Sequence, residues 1–75
     1  MMAYVLINTE FECEREILEA VRKIEGVKEA HAIYGVYDIV AKIEVETMDK
    51  LKETVNWKLR RLNKVKSTIT MIITE

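Results

Sequence analysis

The chain has 75 residues, a formal charge of −1 at pH 7 and a single cysteine. This length allows one small domain, and a lone cysteine excludes both a disulfide framework and a cysteine-based zinc site. The balanced charge excludes the broad basic surface typical of nucleic-acid-binding domains, and no apolar run approaches the ~20 residues of a membrane span. We therefore expect a soluble, cytoplasmic protein with no membrane partner and no specific nucleic-acid partner. Association of copies is the remaining way to support so small a core.

The first third of the chain predicts a strand followed by a helix. Residues 3–8 (AYVLIN) are rich in β-formers and predict strand β1. Thr9 and Glu12 have the spacing of a capping box, which indicates that helix α1 begins directly after β1. Gly26 is the expected stop signal of that helix. Its apolar stripe at helical spacing consists of Cys13, Ile17, Val21 and Ile24.

The middle of the chain predicts a hairpin. Residues 27–34 and 36–46 are both strand-like and meet at Gly35. The glycine indicates a tight turn through Gly35 and Val36, in which the glycine takes a positive φ. This turn would join strand β2 directly to strand β3.

The last third predicts a second helix and a final strand. Thr47 is expected to cap helix α2, and Trp57 faces away from the helix's apolar stripe. Residues 65–73 predict strand β4. The order β-α-β-β-α-β is that of a ferredoxin-like α+β fold, a four-stranded antiparallel sheet with two helices on one face. The apolar stripe of α2 consists of Met48, Leu51, Val55, Leu59 and Leu62.

One face of such a sheet has no helix to cover it. Strand β1 nevertheless offers apolar side chains to both faces, with Tyr4 and Leu6 on the face opposite to Val5. An uncovered apolar surface indicates an association site. We therefore expect a homodimer that closes the two sheets over one another as a dimeric α+β barrel, with a two-fold contact.

The sequence contains no catalytic or metal-binding pattern. It has no Gly-rich phosphate loop, no nucleophile beside a base and no metal-ligand spacing. We therefore expect no catalytic residue, no metal and no cofactor. His31 is interpreted as a half-buried histidine with a structural hydrogen bond. Cys13 is interpreted as a small buried side chain of α1.

Two stretches have the chemistry of a site for a small zwitterion. The first is the hairpin exit, Gly35-Val36-Tyr37-Asp38, and the second is Ser67-Thr68-Ile69-Thr70. Turn amides could hold a ligand carboxylate, while an acid and hydroxyls bind its ammonium group. The structural alternatives are that Asp38 bonds to turn amides and that the hydroxyls only reflect β-propensity. The residues alone leave both interpretations open.

These stretches resemble a known family. The segments GVYDIVAKIEV, VETMDKLKE and VKSTITMII, in this order of elements, are similar to the effector-binding (RAM) domain of the leucine-responsive/asparagine-operon (Lrp/AsnC) regulators. The resemblance covers essentially the whole chain. Gly35, Tyr37 and Asp38 match the family's hairpin, in which Val36 replaces the usual acidic residue. Ser67, Thr68 and Thr70 match its Thr-rich last strand.

The resemblance implies a function and several partners. It implies dimers formed through the sheets, further assembly into a tetramer of dimers, and an amino-acid effector bound between dimers. It also implies a stand-alone module over residues 1–75, without a DNA-binding domain, that modulates full-length Lrp/AsnC regulators in mixed oligomers and binds no DNA specifically by itself. The effector-binding residues it implies are Gly35, Val36, Tyr37, Asp38, Ser67, Thr68 and Thr70.

Two other functions stay open at this point. Small monooxygenases and isomerases share this dimeric architecture, and in such an enzyme His31, Asp38 or Tyr4 would face a cleft between sheet and helices. That interpretation rests on fold analogy alone. The other alternative is a purely structural assembly protein. We expect the chain not to be an enzyme.

Overall fold

The four strands form one antiparallel sheet in the order β2–β3–β1–β4. A computed structural model describes all 75 residues. The predicted ferredoxin-like order, β-α-β-β-α-β, is confirmed. Helix α2 begins as an α-helix and continues as a π-helical segment over Glu53–Leu59. The elements are β1 (Met2–Thr9), α1 (Glu14–Arg22), β2 (Val27–Ala32), β3 (Ile39–Glu44), α2 (Met48–Lys52, continued by the π-helical segment) and β4 (Val65–Ile72).

The core lies between one face of the sheet and the two helices. Alternate residues of the two central strands are fully buried and face each other in register, as Val5 does with Ala41 and Ile7 with Ile39. Burial of these side chains is the main source of stability in a domain of this size. The core consists of Ala3, Val5, Ile7, Ile17, Val21, Ala30, Ile39, Ala41, Ile43, Leu51, Val55 and Leu59.

Helix α1 begins later than predicted, and the expected capping box is wrong. Thr9 is the last residue of β1, where it pairs with Val65 of β4. The helix starts at Glu14, with Cys13 in the N-cap position and no side-chain cap. Glu12 takes a φ of 63° in the turn before it. The capping pattern fails because strand pairing extends through Thr9 and its hydroxyl is engaged elsewhere.

The β2–β3 connection is also longer than predicted. Strand β2 ends at Ala32 and β3 begins at Ile39, so the connection is the loop 33–38 rather than a tight turn. Gly35 has no positive φ, and a Cβ at Gly35 would meet nothing within 4 Å. The loop closes where the Ile33 N–H donates to the Asp38 carbonyl at 2.9 Å. Residues 34–37 therefore pair with no strand, although their side chains favour β-structure.

Helix α2 begins as predicted. The Thr47 hydroxyl accepts a hydrogen bond from the Lys50 N–H at 3.1 Å, which is the expected N-cap. In the π-helical segment the Arg60 N–H donates to the Val55 carbonyl, five residues back, at 3.0 Å. Met48 is exposed, so its predicted place in the buried stripe is wrong. Neither helix has the length and apolar character needed to span a membrane.

Trp57 faces away from the core, as predicted. Its side chain is 62% exposed, and the Arg61 guanidinium lies 5.3 Å from the centroid of its ring. This distance is that of a cation–π contact. The outer side of α2 therefore carries an aromatic ring and a cation that face solvent together.

Gly26 lies in the turn between α1 and β2 and needs to be a glycine. Its φ is +99°, and a Cβ there would lie 3.1 Å from the Val45 side chain. Its carbonyl accepts the Glu44 N–H at 2.8 Å, so the backbone cannot move away without losing this bond. A side chain at this position is therefore disfavoured both by the backbone conformation and by the contact with Val45.

We expect Gly26→Ala to lower the free energy of unfolding by about 1–3 kcal/mol, because the side chain meets both a positive φ and the Val45 methyl group. Gly35→Ala is the matched control and should change stability by less than about 0.5 kcal/mol, since its surroundings are open. Urea denaturation at one fixed protomer concentration measures both. Equal losses for the two variants would contradict this account of Gly26.

Candidate functional site

One end of the sheet gathers three connections of the chain. The Thr9 N–H, at the end of β1, donates to the Asp38 carboxylate at 2.9 Å, and the next amide, of Glu10, donates to the Lys64 carbonyl at 2.8 Å. The loop 33–38, the β1–α1 turn and the α2–β4 turn therefore lie side by side. We call this region the loop end of the sheet. It contains the predicted hairpin residues.

Asp38 has a structural role in a single copy. Its Oδ2 atom accepts hydrogen bonds from the Thr9 N–H at 2.9 Å and from the Thr9 hydroxyl at 3.4 Å. Thr9 is only 6% exposed, so its N–H depends on this acceptor. The other carboxylate oxygen, Oδ1, accepts no hydrogen bond within the chain. The structural alternative, in which Asp38 bonds to turn amides, is wrong in its partner, because the carboxylate accepts from a backbone N–H of β1 instead.

The rest of the loop presents backbone donors and apolar side chains. The N–H groups of residues 34–37 donate no hydrogen bond within the chain. Tyr34 and Val36 project into solvent, while Tyr37 is half-buried. Gly35 leaves the backbone open to approach. These are groups that could hold a carboxylate beside an apolar side chain.

The predicted hydroxyls lie on both sides of β4. Thr68 and Thr70 pair with Ile7 and Val5, which places them on the helix side of the sheet, where Thr70 is exposed. Ser67 is on the other side, and its Oγ accepts a hydrogen bond at 3.5 Å from the side-chain amide of Asn8, its partner on β1. Because β1 separates β3 from β4, the loop and the hydroxyls are about 10 Å apart, or two strand spacings. One copy therefore does not bring the two predicted halves together.

None of the predicted site residues lines any of the three main surface cavities of a single copy. One of about 270 Å³ lies between α2 and the ends of β2 and β3, opposite to the loop end. His31, Asp38 and Tyr4, which the enzyme interpretation requires, do not line it. No group of three or more potential metal ligands is arranged to hold an ion. The residues that line this cavity are mostly charged: Glu25, Lys28, Glu44, Glu46, Lys50, Glu53 and Lys58.

The face of the sheet without helices carries a continuous apolar band, which we call the open face. Leu6 of β1 pairs with Val40 on one side and with Ile69 on the other, so the band crosses three strands. Tyr4 and Met71 are paired in the next row. Tyr4, Ile69 and Met71 are each between 40% and 46% exposed. A band of this kind is typical of a surface that contacts a partner.

A polar pair borders this band on strand β2. His31 donates from Nε2 to the Glu29 carboxylate at 3.0 Å, and both side chains are exposed, so the predicted half-burial of His31 is wrong. The pKa of Glu29 is lowered, chiefly by this hydrogen bond and further by the positive charge of Lys42 opposite. A lowered carboxyl pKa favours the ionised form, so the Glu29–His31 pair weakens as the pH falls through that pKa.

Two residues of the β1–α1 connection differ from, or lie outside, what the sequence predicts. Thr9 does not cap a helix but anchors Asp38. Phe11, for which no role is predicted, is 87% exposed in the turn two residues after Thr9. The signal was present, because Phe11 is out of phase with the apolar stripe of α1 and lies among glutamates. A large apolar residue that is out of phase with the buried stripe and flanked by charged residues predicts an exposed apolar side chain.

These observations define a class of protein. It is a ferredoxin-like domain with one uncovered sheet face and, at one end of the sheet, an exposed loop whose backbone N–H groups are free. The sequence model of the Lrp/AsnC ligand-binding domain matches residues 2–75, and the chain belongs to this family. An uncharacterised HTH-type transcriptional regulator of Pyrococcus furiosus is 33% identical over an alignment 73 positions long, and the match covers 93% of this chain and 49% of that protein. The chain thus spans about half the length of this curated relative.

Solved structures have the same fold. The crystal structure of FFRP-DM1 is 34% identical, with a TM-score of 0.93 and 97% of both chains covered. A transcriptional regulator of Neisseria meningitidis, solved as an L-Met complex, has a TM-score of 0.87 at 18% identity, covering 99% of this chain and 49% of that one. The second likeness shows the fold alone. The Pyrococcus furiosus protein and the Neisseria meningitidis protein are both named as transcriptional regulators.

We expect Asp38→Ala to lower the free energy of unfolding by about 1–3 kcal/mol, because the buried Thr9 N–H loses its acceptor. Asp38→Asn keeps an oxygen in the same place and should recover most of this loss. Urea denaturation of the three proteins at equal protomer concentration provides the comparison. Unchanged stability in Asp38→Ala would show that the Thr9 bond contributes nothing.

Proposed function

We propose that this domain binds an amino-acid effector between copies of itself and thereby modulates Lrp/AsnC-type transcription regulators. The observation that carries this proposal is the distance between the two parts of the predicted site, which are the loop 33–38 and the hydroxyl side chains of β4. Loop 33–38 and Thr68 both lie near the loop end, yet β1 keeps them on different strands. A small ligand could contact both kinds of group only where two copies supply one each. The effector site is therefore an intersubunit site.

The proposed dimer forms through the open face. The apolar band over Leu6, Val40 and Ile69 has no cover from its own helices. A second copy related by a two-fold axis would cover it with the same band. At roughly 25 cal/mol for each Å² of apolar area removed from water, this contact would supplement the small core of each copy.

We expect the pair of substitutions Ile69→Lys and Met71→Lys to raise the dissociation constant of the dimer about 100-fold or more, because unpaired charges would be buried in the contact. Trp57→Lys is the control, since it places a lysine at an exposed apolar position off the open face. Sedimentation equilibrium gives the constants. A dimer that tolerates both lysines would rule out the open face as the contact.

The proposed ligand is an amino acid held by complementary charges. The free N–H groups of residues 34–37 would bind its carboxylate, and the Oδ1 atom of Asp38 is free to accept from its ammonium group. Thr68 and Thr70 of a neighbouring copy would complete the site with hydroxyls. Val36 provides no charge where the family hairpin usually has an acid, so ammonium binding relies on Asp38 and the hydroxyls. The L-Met complex of the Neisseria regulator supports an amino acid as the ligand.

Calorimetric titration of the chain with each of the twenty amino acids tests this site. We expect at least one to bind, and Thr68→Ala with Thr70→Ala to weaken it about 30-fold, because two hydrogen bonds of about 1 kcal/mol are lost. Thr74→Ala, an exposed threonine outside β4, should leave the affinity unchanged. No heat with any amino acid would refute effector binding and favour the structural assembly alternative.

The proposed regulatory partner is a full-length relative. These 75 residues are accounted for by one βαββαβ unit, and none of them forms a helix-turn-helix. The Pyrococcus relative is described as an HTH-type regulator, about half of which this chain spans. Mixed oligomers would place this domain's effector site beside DNA-binding domains supplied by such a partner.

A further inference from the structure

The cavity of about 270 Å³ opposite to the loop end is built from three parts of the chain. Its lining comes from the turn between α1 and β2, from the end of β3 with the residues that follow it, and from one side of α2. We call it the charged cavity, because seven of its ten lining residues are charged and only Val45 is hydrophobic. Such a lining favours a polar ligand over an apolar one.

The charges around the cavity are of both signs and mostly unpaired within the chain. Three lysines and four glutamates line it, and the only ion pair among them joins Lys50 to Glu53 at 3.9 Å. Lys28 and Lys58 form no ion pair, and neither does Glu25. Ammonium and carboxylate groups of the same cavity are therefore available to a ligand.

The π-helical segment of α2 adds one of these charges to the lining. Glu53 and Lys58 are five positions apart, and both line the cavity. Residues five apart adjoin each other on a π-helix, because its hydrogen bonds join residues i and i+5. In an α-helix the same two residues would diverge by about 140° around the axis. The π-helical geometry therefore brings Lys58 to the cavity, and π-helical turns are frequent at functional sites.

The inner wall of the cavity is fixed in position and partly polar. Thr54 is the one buried residue of the lining, and its hydroxyl donates to the Lys50 carbonyl at 2.9 Å. Gly26 lies beside it, since a Cβ at Gly26 would be 3.8 Å from the Thr54 hydroxyl oxygen and 3.1 Å from the Val45 side chain. The charged residues of the lining are all exposed and surround this wall.

We propose that the charged cavity is a second binding site, complete within a single copy, for an amino acid with a charged side chain. Its volume is that of roughly nine liquid water molecules at about 30 Å³ each, which suits one amino acid. The ligand's carboxylate would lie against Lys28 and Lys58, and its ammonium group against the glutamates. A charged side chain adds a further ion pair, whereas an aliphatic one would meet only Val45.

A ligand that carries charge of one sign fits this cavity less well. An anion such as phosphate would be attracted by the three lysines but repelled by the four glutamates. The acidic residues, in turn, form no group of three or more that is arranged to hold a metal ion. The inference is independent of the proposed intersubunit site, because no residue of loop 33–38 or of β4 lines the cavity.

The test is an NMR titration of the isotope-labelled full chain with L-lysine and with L-glutamate, followed through the backbone amide signals. We expect at least one of them to shift the signals of cavity residues such as Gly26 and Thr54. The dissociation constant should be about 1 mM, because each exposed ion pair contributes little. L-Norleucine has the carbon chain of lysine without the ε-ammonium group, and it should bind about tenfold more weakly or not at all.

Lys28→Gln with Lys58→Gln removes two unpaired ammonium groups and should weaken binding about tenfold or more. The matched control is Lys23→Gln with Lys52→Gln, which removes two exposed charges that neither line the cavity nor form ion pairs and should leave the affinity unchanged. Unchanged affinity in the first variant, equal binding of norleucine, or no shift at the cavity would each overturn the inference. Shifts confined to residues 34–37 and β4 would overturn it and support the intersubunit site instead.

Discussion

A four-stranded sheet has two faces, and this chain supplies helices for only one of them. The constraint begins in β1, a central strand whose alternate side chains are apolar on both sides. Ile7 and Val5 go into the core, while Leu6 goes to the open face beside Val40 and Ile69. In a domain this small, the buried apolar area of one layer is barely sufficient. The apolar surface that the helices leave uncovered is therefore the feature on which the proposed dimer depends.

The loop end differs in chemistry from the open face. The proposed open-face contact would be apolar and indifferent to salt, whereas the loop end combines free backbone N–H groups with the exposed side chains of Tyr34 and Val36. The hydrogen bond between Asp38 and Thr9 connects the loop end to the open face, because it fixes the loop to the end of the strand that crosses that face. In the proposed function, a ligand bound at this loop would act on the intersubunit site and leave the open-face dimer intact. Such a division is what a regulatory assembly needs if an effector changes its size.

Features determined by near neighbours could be predicted from the sequence. The order of elements along the chain, the Thr47 cap and the buried face of α2 over Leu51, Val55 and Leu59 follow from local patterns of apolar and capping residues. Thr9 and Asp38 could not be paired in this way, because they are 29 positions apart and each has a plausible local partner. The capping box around Thr9 and the tight turn at Gly35 were wrong for the same reason. In both places a long-range hydrogen bond to β1 prevailed over a local preference.

The candidate site was predictable only as a set of residue types. The sequence places hydroxyls on β4 and an acid in the hairpin, but the distance between them depends on β1 lying in between. The position of Phe11 relative to the loop 33–38 could not be predicted either, because only the fold brings the β1–α1 turn and this loop to the same end of the sheet.

The π-helical turns of α2 have a consequence for how this domain can vary among relatives. A π-helical segment accommodates an extra residue within an otherwise ordinary helix. Losing one residue within Glu53–Leu59 would let the segment close as an α-helix, with Leu59 still able to reach the core. Residues on either side of the segment would keep their orientation, because the shorter α-helical stretch makes about the same total rotation as the longer π-helical one. Length variation of a single residue could in this way be absorbed within the helix, so that neither its buried face nor the sheet beneath it changes.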